Sequence, residues 1–277
     1  MTITATDVNK LRQMTGAGMM DCKKALQETN GDFEQAIDYL RKKGQKVAAK
    51  RADRDANEGF VMAKTNDDKN FAAVIMVSCE TDFVGKNEEF VKFAKDVLDL
   101  GIANKLKREA ALLPLKLGAL TIEEKLNEML SKTGEKMQIV HFETIEAPFV
   151  SAYNHHGHRL ATIVGFSKSD VKGIEEMGHE VAMQVAAMNP VSVDKEDVDK
   201  AIIEREIEIG KEQARQEGKP DDLLEKIAMG KLNKFYKENT LVNQEFIKDN
   251  KKTVCQFISE HSKEMKVTGF KRLQLGA

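Results

Sequence analysis

The hydrophobic period of this chain changes at Gly59, and that change constrains the fold more than any other feature. Before Gly59, apolar residues recur every three to four positions, as they do on one face of a helix. After it, the runs GFVMAKT and NFAAVIMVSC read as strands, and the residues NDDK between them are typical of a hairpin turn. Helices followed by antiparallel strands predict an α+β chain.

Three short amphipathic helices are expected before residue 45, enough for a small core. Thr6 should cap the first helix and Gly16 should end it. Asp32 should cap the third helix, which is expected to stop before Gly44. The basic stretch that follows, with Lys46, Lys50, Arg51 and Arg54, is expected to be a solvated linker helix. The apolar stripes comprise Val8, Leu11 and Met14, then Cys22, Ala25 and Leu26, then Phe33, Ala36, Ile37 and Leu40.

A strand–strand–helix pattern then occurs twice. The first strand pair precedes a helix at 87–100 and a second helix, which begins with the capping box of Thr121 and Glu124 and ends at Gly134. MQIVHFET, FVSAYNH and RLATIVGFS predict three further strands before another helix, and KTVCQFISEH and KVTGFKRLQL predict a last helix and strand. A charge-rich insertion interrupted by EGKPDD predicts an antiparallel helical hairpin. The expected units are 1–55, 56–138, 139–195 with 238–277, and the hairpin 196–237.

Composition argues against several classes of protein. Charged residues make up 32% of the chain and nearly balance at a net charge of −2, whereas a nucleic-acid binder is usually basic. Cys22, Cys79 and Cys255 show no metal-ligand spacing, which indicates a reduced, cytosolic protein. The first residues resemble no secretory signal, and no apolar run is long enough to span a bilayer. We therefore expect a soluble, cytoplasmic protein without membrane contacts. The patterns GxxxxGK[ST], GxSxG and HExxH do not occur.

The segment NHHGHR is the sharpest hint of a metal site. His156 and His158 would share one face of a strand, with His155 beside them. Further ligands have no obvious source, and Gly157 predicts a turn between strands. Exposed turn histidines are therefore favoured over a metal-dependent enzyme.

Two other motifs leave alternatives open. Met19 and Met20 follow Gly-Ala-Gly at a helix start, where they would either complete the helical core or form an exposed pocket for a partner. In CETDFVGKN, Asp82 and Phe83 stand together at a corner between a strand and a helix. The residues alone favour a Phe83 side chain that folds back and seals this corner.

Two long motifs carry a resemblance to a known family. LRQMTGAGMMDCKKAL (11–26) and CETDFVGKN (79–87) resemble signatures of the elongation factor Ts family, exchange factors for the GTPase elongation factor Tu. Similarity continues through YNHHGHRL, GKP and KTVCQFISEHSKEMKVTGF. The resemblance implies an N-terminal three-helix domain similar to a ubiquitin-associated module, a core of two α/β subdomains with antiparallel sheets, and a protruding helical hairpin of coiled-coil type.

The resemblance also implies a mechanism and a set of contact residues. The protein would be no enzyme and would need no cofactor, metal or nucleic acid of its own; its partner would be elongation factor Tu, and a homodimer through the hairpin is left open. A loop at the corner would enter beside the magnesium site of the GTPase and loosen GDP. The implied docking residues are Arg12, Met19, Met20 and Arg51, the loop residues are Thr81, Asp82, Phe83 and Val84, and His156 adds a contact.

The chain departs from the family pattern at three points. Met76 and Gly85 stand where the family often has Glu and Ala, so the corner should be somewhat more flexible. The sequence ends at Ala277, directly after the last expected strand, whereas some members continue into a C-terminal helical module.

The main alternative to an exchange factor is an RNA- or ubiquitin-type binding module that uses only the N-terminal helical domain. It would leave the loop around Phe83 without a role.

Overall fold

The structure, a computed structural model, describes residues 3–50 and 54–276, apart from the side chains of 45–50. Its first part consists of α1 (Ala5–Thr15), α2 (Met19–Glu28) and α3 (Phe33–Lys50). These helices enclose a small core to which nearly all the expected apolar residues belong. Met14 is the exception, because 56% of it is exposed. The three-helix arrangement is confirmed, and its likeness to a ubiquitin-associated module stays a prediction.

The predicted cap of the first helix is wrong. Thr4, rather than Thr6, precedes α1, and its hydroxyl oxygen accepts a hydrogen bond from the Asp7 backbone N–H at 3.2 Å. The Asp7 carboxylate in turn accepts the Thr4 backbone N–H at 3.0 Å. This reciprocal pair needs an acidic residue three positions after the cap, and Asp7 satisfies that spacing only for Thr4. The predicted end at Gly16 is confirmed, with φ of 66°.

The predicted stop before Gly44 is also wrong, because α3 runs on to Lys50. Gly44 lies against α6 (Ile122–Thr133), where a Cβ atom would collide with the Ser131 hydroxyl and lie 3.2 Å from the Asn127 carbonyl oxygen. This glycine therefore permits two helices to pack closely instead of ending one. The basic linker is the end of α3 as far as Lys50, and Arg51 lies outside the described residues.

The first sheet contains, in spatial order, β1 (Glu58–Thr65), β2 (Phe71–Cys79) and β5 (Met137–Glu146). All nine residues of β2 are buried, because this strand pairs with the antiparallel strands β1 and β5 on its two edges and both of its faces pack in the core. The sequence analysis places most of β5 in the unit that begins at residue 139, whereas in the structure this strand pairs with β2. The other elements of this region are α4 (Asp82–Gly85), α5 (Glu88–Ala103), β3 (Lys116–Leu117), β4 (Leu120–Thr121) and α6.

The second sheet contains, in spatial order, β10 (Val267–Gln274), β7 (Leu160–Phe166) and β6 (Phe149–Asn154), and it packs against the first. Alternate residues of β2 face the second sheet, among them Val74, while the others, among them Ile75, face α5. Helices α7 and α10 cover the outer face of the second sheet. The other elements are α7 (Ile174–Met188), α8 (Lys200–Gln216), α9 (Asp221–Asn239), β8 (Glu245–Phe246), β9 (Asp249–Thr253) and α10 (Val254–His261).

The predicted helical hairpin is formed by α8 and α9. Gly218 turns the chain between them with φ of 73°. The helices approach closely at Gly210, where a Cβ atom would lie 3.1 Å from the Cα atom of Ala228. Lys211 also pairs with Glu225 across the two helices at 2.7 Å. No helix within the described residues is long and apolar enough to cross a membrane.

Candidate functional site

The corner that follows β2, residues 81–87, contains two helix caps in succession. The Thr81 hydroxyl oxygen accepts the Val84 backbone N–H at 3.4 Å and begins the single turn α4. The Asn87 side chain then accepts the backbone N–H groups of Glu89 and Phe90, which begins α5. Threonine and asparagine are favoured caps because their side chains satisfy backbone donors that the helix leaves free. The sequence TDFVGKN therefore gives a defined turn at this corner.

Phe83 projects from this corner into solvent. Its residue surface is 84% exposed, more than that of any other large apolar residue with described surroundings. The neighbouring Val84 packs against the core between the first sheet and α5. The interpretation that Phe83 seals the corner is therefore wrong, because Val84 has this role.

Glu135 ties the corner to the end of α6, a contact that the sequence does not reveal. Its carboxylate accepts the Thr81 hydroxyl at 2.7 Å and the Thr81 backbone N–H at 3.0 Å. The thiol of Cys79, at the end of β2, donates a hydrogen bond to the Thr81 carbonyl oxygen at 3.1 Å. Burial raises the pKa of this thiol to about 12. Thr81 is therefore held on two sides, while Phe83 two residues later stays exposed.

Asp82 forms an exposed ion pair with Lys86, one helical turn later. The Asp82 carboxylate lies 2.6 Å from the Lys86 ammonium group. The hydrogen bond from Lys86 and its positive charge lower the pKa of Asp82. Exposed ion pairs contribute little to stability, so this ionised carboxylate can exchange Lys86 for another donor at low cost.

Gly85 is buried against the start of β1. A Cβ atom at this position would lie 3.1 Å from the carbonyl oxygen of Gly59. The sequence predicts a more flexible corner because of this glycine, but here the residue permits close backbone packing. The corner is thus seated directly on the first residues of β1.

The three histidines do not converge on a metal site. His155 and His156 are exposed, as expected for turn residues, and the His155 ring nitrogen Nδ1 pairs with the Tyr153 hydroxyl at 3.0 Å. His158 instead turns inward and stacks on Phe60, which corrects the expectation that all three are exposed. The described residues contain no cluster of three or more metal-ligating side chains.

The histidine turn and the corner meet β1 at adjacent residues. The His158 carbonyl oxygen accepts the Val61 backbone N–H at 2.8 Å, one residue beyond the stacked Phe60 ring. Gly59, the residue before Phe60, lies against Gly85 of the corner. Exposed His156 and exposed Phe83 are therefore both supported by the same end of one strand.

Met19 and Met20 lie at the start of α2 and are 54% and 74% exposed. Neither belongs to the buried core of the three helices, so the alternative that they complete this core is wrong. Arg12, on α1, is also exposed. Arg51, the fourth predicted docking residue, lies outside the described residues.

Comparison with known proteins gives one consistent result. The family described as Elongation factor TS matches residues 80–277. A protein named Elongation factor Ts from Christiangramia forsetii is 50% identical over 274 residues, with 99% of each chain covered. Its namesake from Flavobacterium psychrophilum is 51% identical over 276 residues, again with 99% of each covered. The namesake from Amoebophilus asiaticus is 47% identical over 277 residues and covers 100% of both chains.

Proposed function

The chain belongs to the elongation factor Ts family, whose role lies in translation elongation, and from this premise we propose that it binds the GTPase elongation factor Tu and speeds GDP release. The observation that carries the proposal is Phe83, an exposed aromatic side chain on a well-anchored corner. Burying such a side chain in a partner contributes roughly 1.5–3 kcal/mol. An exposed phenylalanine therefore favours a complex in which it is covered.

Release of GDP follows from competition for the magnesium site. Magnesium bridges the phosphates of a bound nucleotide and supplies much of its affinity. The loop of Thr81, Asp82, Phe83 and Val84 would enter beside this ion, with the Asp82 carboxylate exchanging Lys86 for groups near the phosphates. If the factor binds best when that site is distorted, it weakens nucleotide binding by the same factor as nucleotide weakens binding of the factor.

Docking would use a second surface on the N-terminal helices. Arg12 on α1 and Met19 and Met20 at the start of α2 are exposed, and Arg51 is proposed to act with them. His156 would add a contact near the loop, since its turn and the corner share the start of β1. The alternative of an RNA- or ubiquitin-binding module uses the N-terminal helices alone and gives Phe83 no role.

In this function the chain performs no covalent chemistry and holds no cofactor or metal of its own. Its place of action would be the cytoplasm, where translation occurs. Exchange requires contact with the GTPase and no contact with nucleic acid or membrane. A homodimer through α8 and α9 is a separate prediction on which exchange does not depend.

The decisive measurement is stopped-flow release of a fluorescent GDP from elongation factor Tu, with and without this protein. We expect the release rate to rise with factor concentration and then saturate. The factor alone should show no saturable GDP binding at micromolar concentration. The control is Met188→Ala, which shortens an apolar residue that is 44% exposed at the end of α7 and should leave release unchanged. Unchanged GDP release in the presence of the unaltered protein would contradict the proposal.

A further inference from the structure

We infer that Glu135 is a positioning residue that fixes the Phe83 loop to the helix on which the N-terminal docking helices are seated. The inference rests on the proposed function and names a residue outside the predicted contact sets. Glu135 follows Gly134, the residue that ends α6. Its two carboxylate oxygens each accept one hydrogen bond from Thr81.

The two hydrogen bonds that Thr81 donates to Glu135 control the loop, because Thr81 is the first of the four loop residues. Thr81 is the cap of α4, and the Gly85 backbone N–H donates to its carbonyl oxygen at 3.1 Å. A carboxylate that binds both the backbone and the side chain of one residue fixes its orientation, and hydrogen bonds to a charged group are stronger than neutral ones. The contact of Glu135 with Thr81 therefore determines the direction in which the Phe83 side chain points.

The same helix end also supports the docking helices. A Cβ atom on Gly16, between α1 and α2, would lie 2.8 Å from Cδ of Lys132. The Lys132 ammonium group binds Glu89, in the first turn of α5, at 2.9 Å. Together with the close packing of Gly44 on Ser131, these contacts seat the N-terminal helices on α6. Lys132 lies in the last turn of α6, and Glu135 follows three residues later, directly after the residue that ends this helix.

This arrangement gives Glu135 a mechanical function. When the exposed methionines bind the GTPase, a rigid connection through α6 brings Phe83 to a fixed position on the same partner. Without the hydrogen bonds to Thr81, the loop would have to be ordered as it inserts into the partner after docking, which costs free energy that a preorganised loop does not. Docking would survive this loss, while the rate of release in the complex would fall.

The test separates docking from release. Release of fluorescent GDP from elongation factor Tu is measured over a range of factor concentrations for Glu135→Ala and Glu135→Gln. We expect the limiting rate to fall about 10-fold for alanine, equivalent to about 1.4 kcal/mol. The fall should be smaller for glutamine, which keeps one acceptor oxygen. The half-saturating concentration should stay within about 2-fold of the parent value, because the docking helices are unaltered.

Two further variants make the result specific. Thr81→Val removes the hydroxyl that donates to Glu135 and should lower the limiting rate at least as far as Glu135→Gln, since the cap for the Val84 backbone N–H is lost as well. Glu264→Gln makes the same chemical change at an exposed carboxylate that pairs with Lys168, and should have no effect. A parental limiting rate in Glu135→Ala would overturn the inference. So would a change confined to the half-saturating concentration.

A second readout does not depend on exchange. The buried Cys79 thiol donates a hydrogen bond to the Thr81 carbonyl oxygen, so a corner in which Thr81 is no longer held should expose this thiol. In a Cys255→Ser background, we expect Cys79 to react with a thiol reagent faster in Thr81→Val than in Glu264→Gln, with the site assigned by mass spectrometry. Besides burial, the Glu135 charge itself raises the pKa of Cys79, and Thr81→Val is used because it keeps this charge. Equal rates would overturn the inference. If the unaltered protein does not speed GDP release, the proposed function fails, and thiol labelling alone decides whether Glu135 holds the loop.

Discussion

The imidazole ring of His158 stacks on the phenyl ring of Phe60, with ring centroids 4.6 Å apart and planes 30° apart. The ring nitrogen Nδ1 is buried and has no hydrogen-bond partner within the described residues. Burial lowers the pKa of His158, and the positive charge of Lys95 on α5 and the neighbouring His156 lower it further. A neutral ring is therefore favoured in the folded protein.

This contact predicts a pH dependence of stability. Because the pKa of His158 is lower in the folded state, the unfolded chain binds the proton first as the pH falls. The stabilising effect is complete above the ordinary histidine value of about 6.5 and is lost as the pH falls through the folded pKa. From about pH 7.5 to about pH 5.5, the melting temperature of the parent should therefore fall more than that of His158→Asn.

Asparagine suits this comparison because residue 158 has φ of 53°, a conformation that asparagine tolerates. His155→Asn is the matched control, since His155 is exposed on the same turn. It should retain the pH slope of the parent. Equal slopes in the parent and in His158→Asn would show that His158 does not titrate in this range.

A glycine pair tests the packing of α3 on α6. Gly44→Ala should destabilise the protein by roughly 1–3 kcal/mol, because the new methyl group meets Ser131 and the Asn127 carbonyl oxygen. Gly230→Ala, inside α9 with no atom near its Cβ position, should stabilise it by up to about 1 kcal/mol through helix propensity. Chemical denaturation measures both. A stabilising Gly44→Ala would show that α3 and α6 separate without cost.

Gly44 also marks the limit of prediction from the sequence. A glycine after an amphipathic segment is typical of a helix end, and Gly16 and Gly134 do end helices. Gly44 has a different cause, the proximity of α6, which lies about eighty residues later in the chain. Local patterns give helices, strands and turns correctly where the local cause dominates, and they fail where a distant element decides.

The same distinction applies to the candidate site. The motif around Phe83 was recognisable from the sequence because its residues are contiguous. Glu135 was not, since it meets Thr81 only after α6 has returned the chain to the corner. The pairing of β5 with β2 is not predictable for a similar reason, because sheet order is not encoded in the alternation of a single strand.

The cysteines should differ sharply in reactivity. Cys255 is exposed, whereas Cys22 and Cys79 are buried. Burial raises the pKa of both buried thiols, to about 12 for Cys79, and the thiolate is the reactive form. In the native protein near neutral pH, one thiol should react rapidly with a chromogenic disulfide reagent and two should react only after denaturation. Cys255→Ser should abolish the rapid reaction, and rapid labelling of Cys79 would contradict the buried corner.

The methionines of α2 should affect binding without affecting folding. Met20→Ala should weaken binding to elongation factor Tu, because up to roughly 1.5–3 kcal/mol of apolar burial is lost, while the melting temperature stays near that of the parent. Leu26→Ala, at a fully buried position on the same helix, is the contrast and should cost about 2–5 kcal/mol of stability. Calorimetric binding and thermal unfolding separate the two effects. An early melt of Met20→Ala would show that this residue packs in the fold.

Phe83 gives the most direct test of exchange. Phe83→Ala should reduce stimulated GDP release at subsaturating factor by about 10- to 100-fold, since roughly 1.5–3 kcal/mol of burial in the partner is lost and about 1.4 kcal/mol is a factor of ten. Its melting temperature should stay near that of the parent, because the exposed ring fills no cavity. Val84→Ala, one residue later and packed against the core, should instead lower the melting temperature.

Asp82→Ala should reduce release more than complex formation, because its carboxylate acts near the phosphates. Stopped-flow release and thermal unfolding of all three variants distinguish these roles, and a Phe83→Ala protein that is folded and still speeds release normally would eliminate Phe83 as the inserting residue.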